Sequence, residues 1–296
     1  MLNIFKILSF FSRHPLTKEA RFEAYKRFFG WQFLCRMTGK PVIVPFVDNT
    51  RLIMERGITS ATGNYYAGLM EFNDMAFLLH FLKENDLFMD VGANVGVYTI
   101  LASGVRKAQS IAFEPIPSTF RRLQDHIRIN GLEDMAQYRN YALGSKEEKL
   151  YFTTNEDSTN HVVPQGSDAS KNGMEVRVCA MDSIMEGRCP LLMKIDVEGF
   201  ETEVIRGASE TLKNPELKAI IIELNGLGAN YGFSDDEIHR ELLDYGFKPQ
   251  HYEPFQRTFT ELDHYGNHNT IYIRDLEWVK DRVAKAPRIE VLGKSF

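Results

Sequence analysis

Residues 87–99 read Leu-Phe-Met-Asp-Val-Gly-Ala-Asn-Val-Gly-Val-Tyr-Thr, an apolar run of strand length that meets a glycine-paced turn and then helical spacing. A strand apolar on both faces and followed at once by a helix belongs in a parallel sheet covered on both sides. Gly92 and Gly96 carry no Cβ, so the backbone between them turns tightly and comes close to a ligand. The helix that follows aims its free N–H groups at the crevice beyond the strand tip. A dinucleotide fingerprint needs glycine at the first, third and sixth positions of this turn. Counted from Gly92, the chain offers Gly92, Asn94 and Val97, which disfavours an NAD(P)-dependent oxidoreductase. Asp90 at the strand tip would repel a pyrophosphate and attract an ammonium group.

From residue 87 onward, strand and helix alternate. Strands are expected at 87–91, 110–114, 137–142, 191–195 and 219–224, with helices near 95–104, 118–130 and 199–213. Gly131 ends the second helix. An antiparallel insertion, 149–154 with 174–178, encloses a polar loop rich in Asn, Ser and Gly. Ser234-Asp235-Asp236-Glu237 forms a capping box for a helix that Gly246 closes. Residues 247–252 and 269–273 close the sheet as a hairpin. The fold class is α/β, a doubly wound, mostly parallel sheet over residues 71–275 that opens with a helix at 71–85. Residues 1–70 form an extension with helical stretches and a β-hairpin at 41–58, and residues 276–296 a C-terminal tail.

The 296 residues carry a net charge of −5, which argues against non-specific nucleic-acid binding. The charge is uneven. Residues 1–40 hold eight lysines and arginines against Glu19 and Glu23, leaving −11 for the rest. Ile4, Ile7, Leu8 and Phe11 recur at helical spacing with Lys6 and Arg13 off the stripe. Such a helix rests on an anionic membrane surface or a partner, or packs on its own domain. No apolar run reaches membrane-spanning length, and the first residues lack a signal-peptide cleavage site. Cys35, Cys179 and Cys189 show no metal-ligand spacing, which fits a reducing, cytoplasmic setting, with peripheral contact at the inner membrane face through the basic segment.

Glu114 ends the second strand, where a carboxylate accepts hydrogen bonds from the two ribose hydroxyls of an adenosine. Met193-Lys194-Ile195-Asp196-Val197-Glu198-Gly199 is a near-apolar strand ending in two carboxylates and a glycine. In a doubly wound sheet its tip lies beside that of strand 87–91 at the topological switch point, so Asp90 and Asp196 face one crevice. The alternative for Asp196 is an N-cap. A ligand with an adenosine, an ammonium and no phosphate fits these acids: S-adenosylmethionine.

The blocks Phe-Met-Asp-Val-Gly-Ala-Asn-Val-Gly-Val-Tyr-Thr, Ala-Phe-Glu-Pro, Tyr-Ala-Leu-Gly and Lys-Ile-Asp-Val-Glu-Gly-Phe-Glu resemble those of the FkbM family of S-adenosylmethionine-dependent methyltransferases, over residues 65–275. The resemblance implies a class I methyltransferase fold with strand order 3-2-1-4-5-7-6 and strand seven antiparallel. It implies O-methylation of hydroxyls on sugars, glycolipids or natural products. It further implies that Asp90, Gly92, Asn94 and Gly96 hold the methionine end of the cofactor, that Glu114, followed by Pro115, holds the ribose, and that Tyr141 and Ala142 lie along the adenine.

A sugar hydroxyl is a very weak acid, so its attack on a sulfonium methyl calls for a general base. Asp196 and Glu198 are the first candidates. Lys194 shares Asp196's side of the strand, either in catalysis or as a buried ion-pair partner. His161, in the insertion loop, is the preferred histidine base ahead of His264 and His268. Tyr65 and Tyr66 either stack on a sugar or belong to the core of the extension. Asp196, Glu223 and Asn225 would offer three oxygens to a divalent cation, although carboxylates without metal are favoured. A nucleic-acid amino-methyltransferase would carry an Asn/Asp-Pro-Pro-aromatic turn where this chain has Asp196-Val-Glu-Gly. The remaining rivals are a binding module that keeps the pocket without chemistry, and a protein acceptor. Acceptor specificity is expected in residues 156–172 and in the first 70.

Overall fold

The computed structural model describes residues 4–153, 162–163, 173–266 and 268–296. The N-terminal segment forms α1 (Ile4–Arg13), α2 (Arg21–Thr38), a hairpin of β1 (Val42–Pro45) and β2 (Arg51–Met54), α3 (Thr59–Ala67) and α4 (Phe72–Phe81). β3 (Leu87–Val91) leads into the short α5 (Val97–Thr99), which continues as a π-helical stretch over Ile100–Val105. Next come β4 (Gln109–Phe113), α6 (Pro117–Ile129) and β5 (Ala136–Arg139). β6 (Ala142–Gly144), β7 (Glu148–Phe152), β8 (Val162–Val163) and β9 (Met174–Ala180) make a second, four-stranded sheet in the order β6-β9-β7-β8. The chain returns through α7 (Met181–Ile184), β10 (Leu192–Ile195), α8 (Glu201–Arg206), α9 (Ser209–Lys213), β11 (Ala219–Glu223) and α10 (Asp235–Asp244). It ends with β12 (Lys248–Glu253), β13 (Thr258–Glu261), β14 (Asn269–Ile273), α11 (Leu276–Ala284) and a hairpin of β15 (Glu290–Val291) and β16 (Lys294–Ser295).

The main sheet runs β13-β12-β14-β11-β10-β3-β4-β5, parallel from β11 to β5, with β14 antiparallel to both β11 and β12. Without β13 this is the order 3-2-1-4-5-7-6 of a class I methyltransferase. Alternation along the strands explains the two covered faces. Phe88, Leu192, Ile221 and Ile271 point into one core with α4, α11 and the N-terminal helices, while Met89, Met193, Ile220 and Tyr272 point into another with α8 to α10. Each such side chain stabilises the sheet by about 1.5–3 kcal/mol through burial alone.

Several elements differ from the sequence reading. The expected helix 199–213 is broken into α8 and α9 because Gly207 lies against the end of β6: a Cβ there would sit 1.9 Å from the Gly144 carbonyl oxygen. Asp182 then caps α9, accepting from the backbone N–H groups of Glu210 (2.8 Å) and Thr211 (2.9 Å). β12 and β14 pair antiparallel as expected, but β12 first hairpins with β13, which pattern alone does not reveal. Ser234 stands at the N-cap of α10 but makes no side-chain cap bond. Residues 276–296 are folded rather than a tail, with Val279, Val283 and Phe296 buried in the same core as α1 and α2. Among the described residues, no helix is long and apolar enough to cross a membrane.

Candidate active site

The tips of β3, β4, β10 and β11 open onto a cleft of about 270 Å³, closed on one side by α3 and the start of α4. The turn after β3 is built by conformation first. Gly92 (φ +79°) and Gly96 (φ +85°) both occupy the left-handed region, as does Asn94 (φ +50°). A Cβ on Gly92 would lie 1.8 Å from the carbonyl oxygen of Asp196, so glycine there lets the tips of β3 and β10 close together. Gly96 does not line the cleft; its missing Cβ makes room for Leu123 of α6. Gly92 also lines the cleft, whereas Gly96 shapes the cradle through its contact with Leu123.

Asp90 lies on the cleft and is buried. Its Oδ2 accepts from the Thr99 hydroxyl (2.6 Å) and backbone N–H (3.1 Å). Burial pushes its carboxyl up to about 6, against the pull of those hydrogen bonds and of Lys194. Glu114 accepts from the backbone N–H groups of Asn94 (3.0 Å) and Ile116 (2.8 Å), one on each oxygen. Burial raises its carboxyl to about 7. Asn140 donates to the carbonyls of Glu114 and Pro115, both at 2.9 Å, and so fixes the turn after β4. Ala142 and Leu143 of β6 form the neighbouring wall. Tyr141, expected along the adenine, does not line the cleft: its ring packs on Phe113 at 5.6 Å, with the Arg177 guanidinium 5.5 Å from its centroid.

Opposite this cradle lies a cluster of acids around one lysine. Lys194 is buried and donates to Asp196 Oδ2 at 2.7 Å. Its ammonium stands 4.9 Å from the centroid of Tyr98, whose hydroxyl donates to Glu71 at 2.7 Å. Burial disfavours the lysine's charge, but Asp196, Glu71 and Asp90 outweigh it and hold the ammonium protonated well above its ordinary range. A lysine so held is an ion-pair partner and not a proton acceptor. Carboxylate oxygens of Asp196, Glu198 and Glu223 come within 4.8 Å of one another. Burial and the neighbouring Asp196 raise Glu198 to about 7 and Glu223 to about 8. Glu201 shapes the loop that presents them, accepting from the N–H groups of Val197 (3.0 Å) and Gly199 (3.2 Å).

The cleft therefore gathers Asp90, Gly92, Asn94, Glu114, Pro115, Ala142, Lys194, Asp196, Glu198 and Glu223, and leaves other candidates aside. Asn225 is exposed and accepts from Leu227 N–H in its own turn; Glu198 takes its place beside Asp196 and Glu223. Three oxygens would suit a hard divalent cation, yet here they share the field of a buried ammonium. His161 lies outside the described residues. His264 pairs with Asp236 at 3.3 Å beyond the cleft, and His268 is exposed. Tyr66 is buried against Phe11 and Phe28, with Tyr65 packed on the same cluster, so both serve the core of the extension. Sequence reasoning missed Glu71, Ser60 and Asn64, which line the cleft from α3 and the start of α4. The signal was Tyr98, a phenol in the cofactor turn in need of an acceptor.

The model of the FkbM methyltransferase domain matches residues 90–249, more than half of the chain. The chain belongs to the FkbM methyltransferase family. The match begins at Asp90 and includes Glu114 and the Lys194–Glu198 tip. Among curated proteins, this chain is 30% identical over 152 residues to hexuronic acid methyltransferase AglP of Haloferax volcanii, covering 50% of this chain and 59% of that protein. It is 27% identical over 150 residues to methyltransferase 1 of Beauveria bassiana, covering 43% of this chain and 60% of that one. The chain thus spans about three fifths of the length of these relatives. Among solved structures, precorrin-6y C5,15-methyltransferase of Geobacter metallireducens aligns with a TM-score of 0.40 at 12% identity, over 70% of this chain and 89% of that one. S-adenosylmethionine is the cofactor this fold implies, and the residues present fit it: Glu114 would hold the ribose hydroxyls, Asp90 stands where an ammonium is welcome, and Ile116, Ala142 and Leu143 would flank the base.

Proposed function

We propose that this methyltransferase methylates a hydroxyl group of a neutral sugar, in a glycan or glycolipid. The observation that carries the reading is the carboxyl cluster at the β10 and β11 tips, held near neutrality across the cleft from the cofactor cradle. When bound, S-adenosylmethionine supplies a methyl group on a positively charged sulfur. Glu198 orients the acceptor hydroxyl and takes its proton; the hydroxyl oxygen would receive the methyl group, and the bonding pair would stay with the departing sulfur. A carboxyl near 7 is matched to that task at neutral pH. Lys194 holds Asp196 beside it, so that Asp196 and Glu223 accept hydrogen bonds from neighbouring sugar hydroxyls. Once Glu198 has lost its proton, as a base must, the lining would repel an anionic acceptor, and the name of the Haloferax relative, which specifies a sugar acid, supports a carbohydrate acceptor.

The test is transfer of tritiated methyl from S-adenosylmethionine to a panel of neutral and anionic glycans. Label should enter neutral sugars in alkali-stable ether linkage, with kcat rising with pH through about 7, the carboxyl of Glu198. Glu198→Gln should lower kcat about a hundredfold or more with cofactor affinity unchanged. Cofactor binding without transfer to any glycan, or label in alkali-labile esters only, would overturn the reading.

A further inference from the structure

Helix α2 has two apolar faces. Ala24, Phe28, Trp31 and Cys35 are buried against the protein. On the opposite side, Phe22 (67% exposed), Phe29 (48%), Phe33 (67%) and Met37 (70%) stand in solvent. Their spacing of seven, four and four residues puts them within a sector of about 100°. Four large apolar side chains exposed together on one helix face mark a surface for interaction, and among the described residues nothing covers them. The exposed face is interleaved with charge of one sign: Lys26 falls within it, Arg36 at its margin, and Lys40 lies just past the helix end. Glu23, to one side, is taken up by Lys26 at 2.7 Å.

We propose that the outward face of α2 docks on an anionic lipid bilayer. Aromatic rings flanked by lysine and arginine suit the boundary between headgroups and acyl chains, where rings enter the apolar layer and long basic side chains reach the phosphates. The charge distribution sets the orientation. Residues 1–40 carry a net +6 and the rest of the chain −11, so an anionic surface attracts this end and repels the other. A second copy is a poor occupant, because a two-fold contact would set Lys26 and Arg36 against their own equivalents. The sequence stripe on α1 is a different surface: Phe11 is buried, and α1 packs beside α2 through Phe11 and Tyr25. The docking helix is also tied to the wall of the cleft. Arg27 of α2 donates to the Tyr66 carbonyl at 2.8 Å, and Tyr66 sits on α3, whose Ser60 and Asn64 line the site.

The experiment is flotation of the full chain with phosphatidylcholine vesicles, with and without about 30% phosphatidylglycerol, at low and high salt. The expected result is binding to the anionic vesicles about tenfold or more above the neutral ones, lost at high salt. Phe29→Glu combined with Phe33→Glu should reduce it at least about tenfold, and Lys26→Glu combined with Arg36→Glu likewise, with circular dichroism and S-adenosylmethionine affinity unchanged. Absence of flotation by the wild-type chain, or equal flotation by the variants, would overturn the proposal. So would a wild-type dimer that the phenylalanine variants convert to a monomer, which would assign the face to a second copy.

Discussion

Replacing Lys194 with methionine keeps most of the side-chain length against Tyr98 and removes the ammonium that Asp196 binds at 2.7 Å. Breaking a fully buried pair costs about 3–5 kcal/mol. The Asp196 side chain is 28% exposed, so water relieves part of this and about 2 kcal/mol is expected near pH 5. At that pH Glu198, Glu223 and Asp90, with carboxyls at about 7, 8 and 6, are mostly neutral. Near pH 8.5 they have ionised, and each loses the attraction of the ammonium, about 1 kcal/mol apiece at the effective dielectric of a half-open site. The penalty should then reach about 4–5 kcal/mol. The sign is fixed by linkage. These carboxyls lie above their unfolded values, so the folded protein holds more protons and its stability falls as pH rises from about 4, where the unfolded chain ionises, to about 8. Lys194 opposes that fall by drawing all three downward, and without it the decline is steeper. Urea unfolding of both proteins, followed by circular dichroism at the two pH values, measures the difference. An equal penalty at both would refute the electrostatic account and leave Lys194 a packing residue.

Two further outcomes check the cradle and the fold separately. Glu114→Ala removes the acceptor for the ribose hydroxyls and should weaken S-adenosylmethionine binding about a hundredfold by calorimetry; unchanged affinity would remove Glu114 from the site. Gly207→Ala forces a methyl group to 1.9 Å from the Gly144 carbonyl and should cost about 2–3 kcal/mol by thermal unfolding. An unshifted midpoint there would show that α8 and α9 separate for another reason.

What the sequence reveals follows from how local each cause is. β3 and β10 are legible because both faces of each strand are apolar, and Asp90, Glu114 and Asp196 because each follows such a strand directly. The break at Gly207 is not, since its cause is a carbonyl sixty-three residues earlier in the chain. Asn225 would share the side of Glu223 if the strand continued, but β11 ends at Glu223 and Asn225 turns back to accept from Leu227 N–H. Glu198 reaches the cluster through a left-handed backbone (φ +55°), a conformation that glutamate does not advertise. β13 is short, mostly exposed and follows Arg257 at φ +54°, so its alternation is too weak to separate it from a loop.

The extension and the family domain depend on each other at the site. Residues 90–249 provide the cradle and the Lys194–Glu198 tip, but Ser60, Asn64, Met70 and Glu71, which face them across the cleft, lie outside that stretch. Ser60 donates to Asn94 Oδ1 at 3.2 Å, and Glu71 accepts from Tyr98, whose ring lies beneath the Lys194 ammonium. The extension therefore touches the cofactor turn at one end and the acid cluster at the other. On the proposed function, the residues of methyl transfer would lie in the shared domain, whereas one wall of the cleft comes from a segment whose far side carries the exposed face of α2. If both proposals hold, selection of the acceptor and attachment to a surface would be properties of one packed unit.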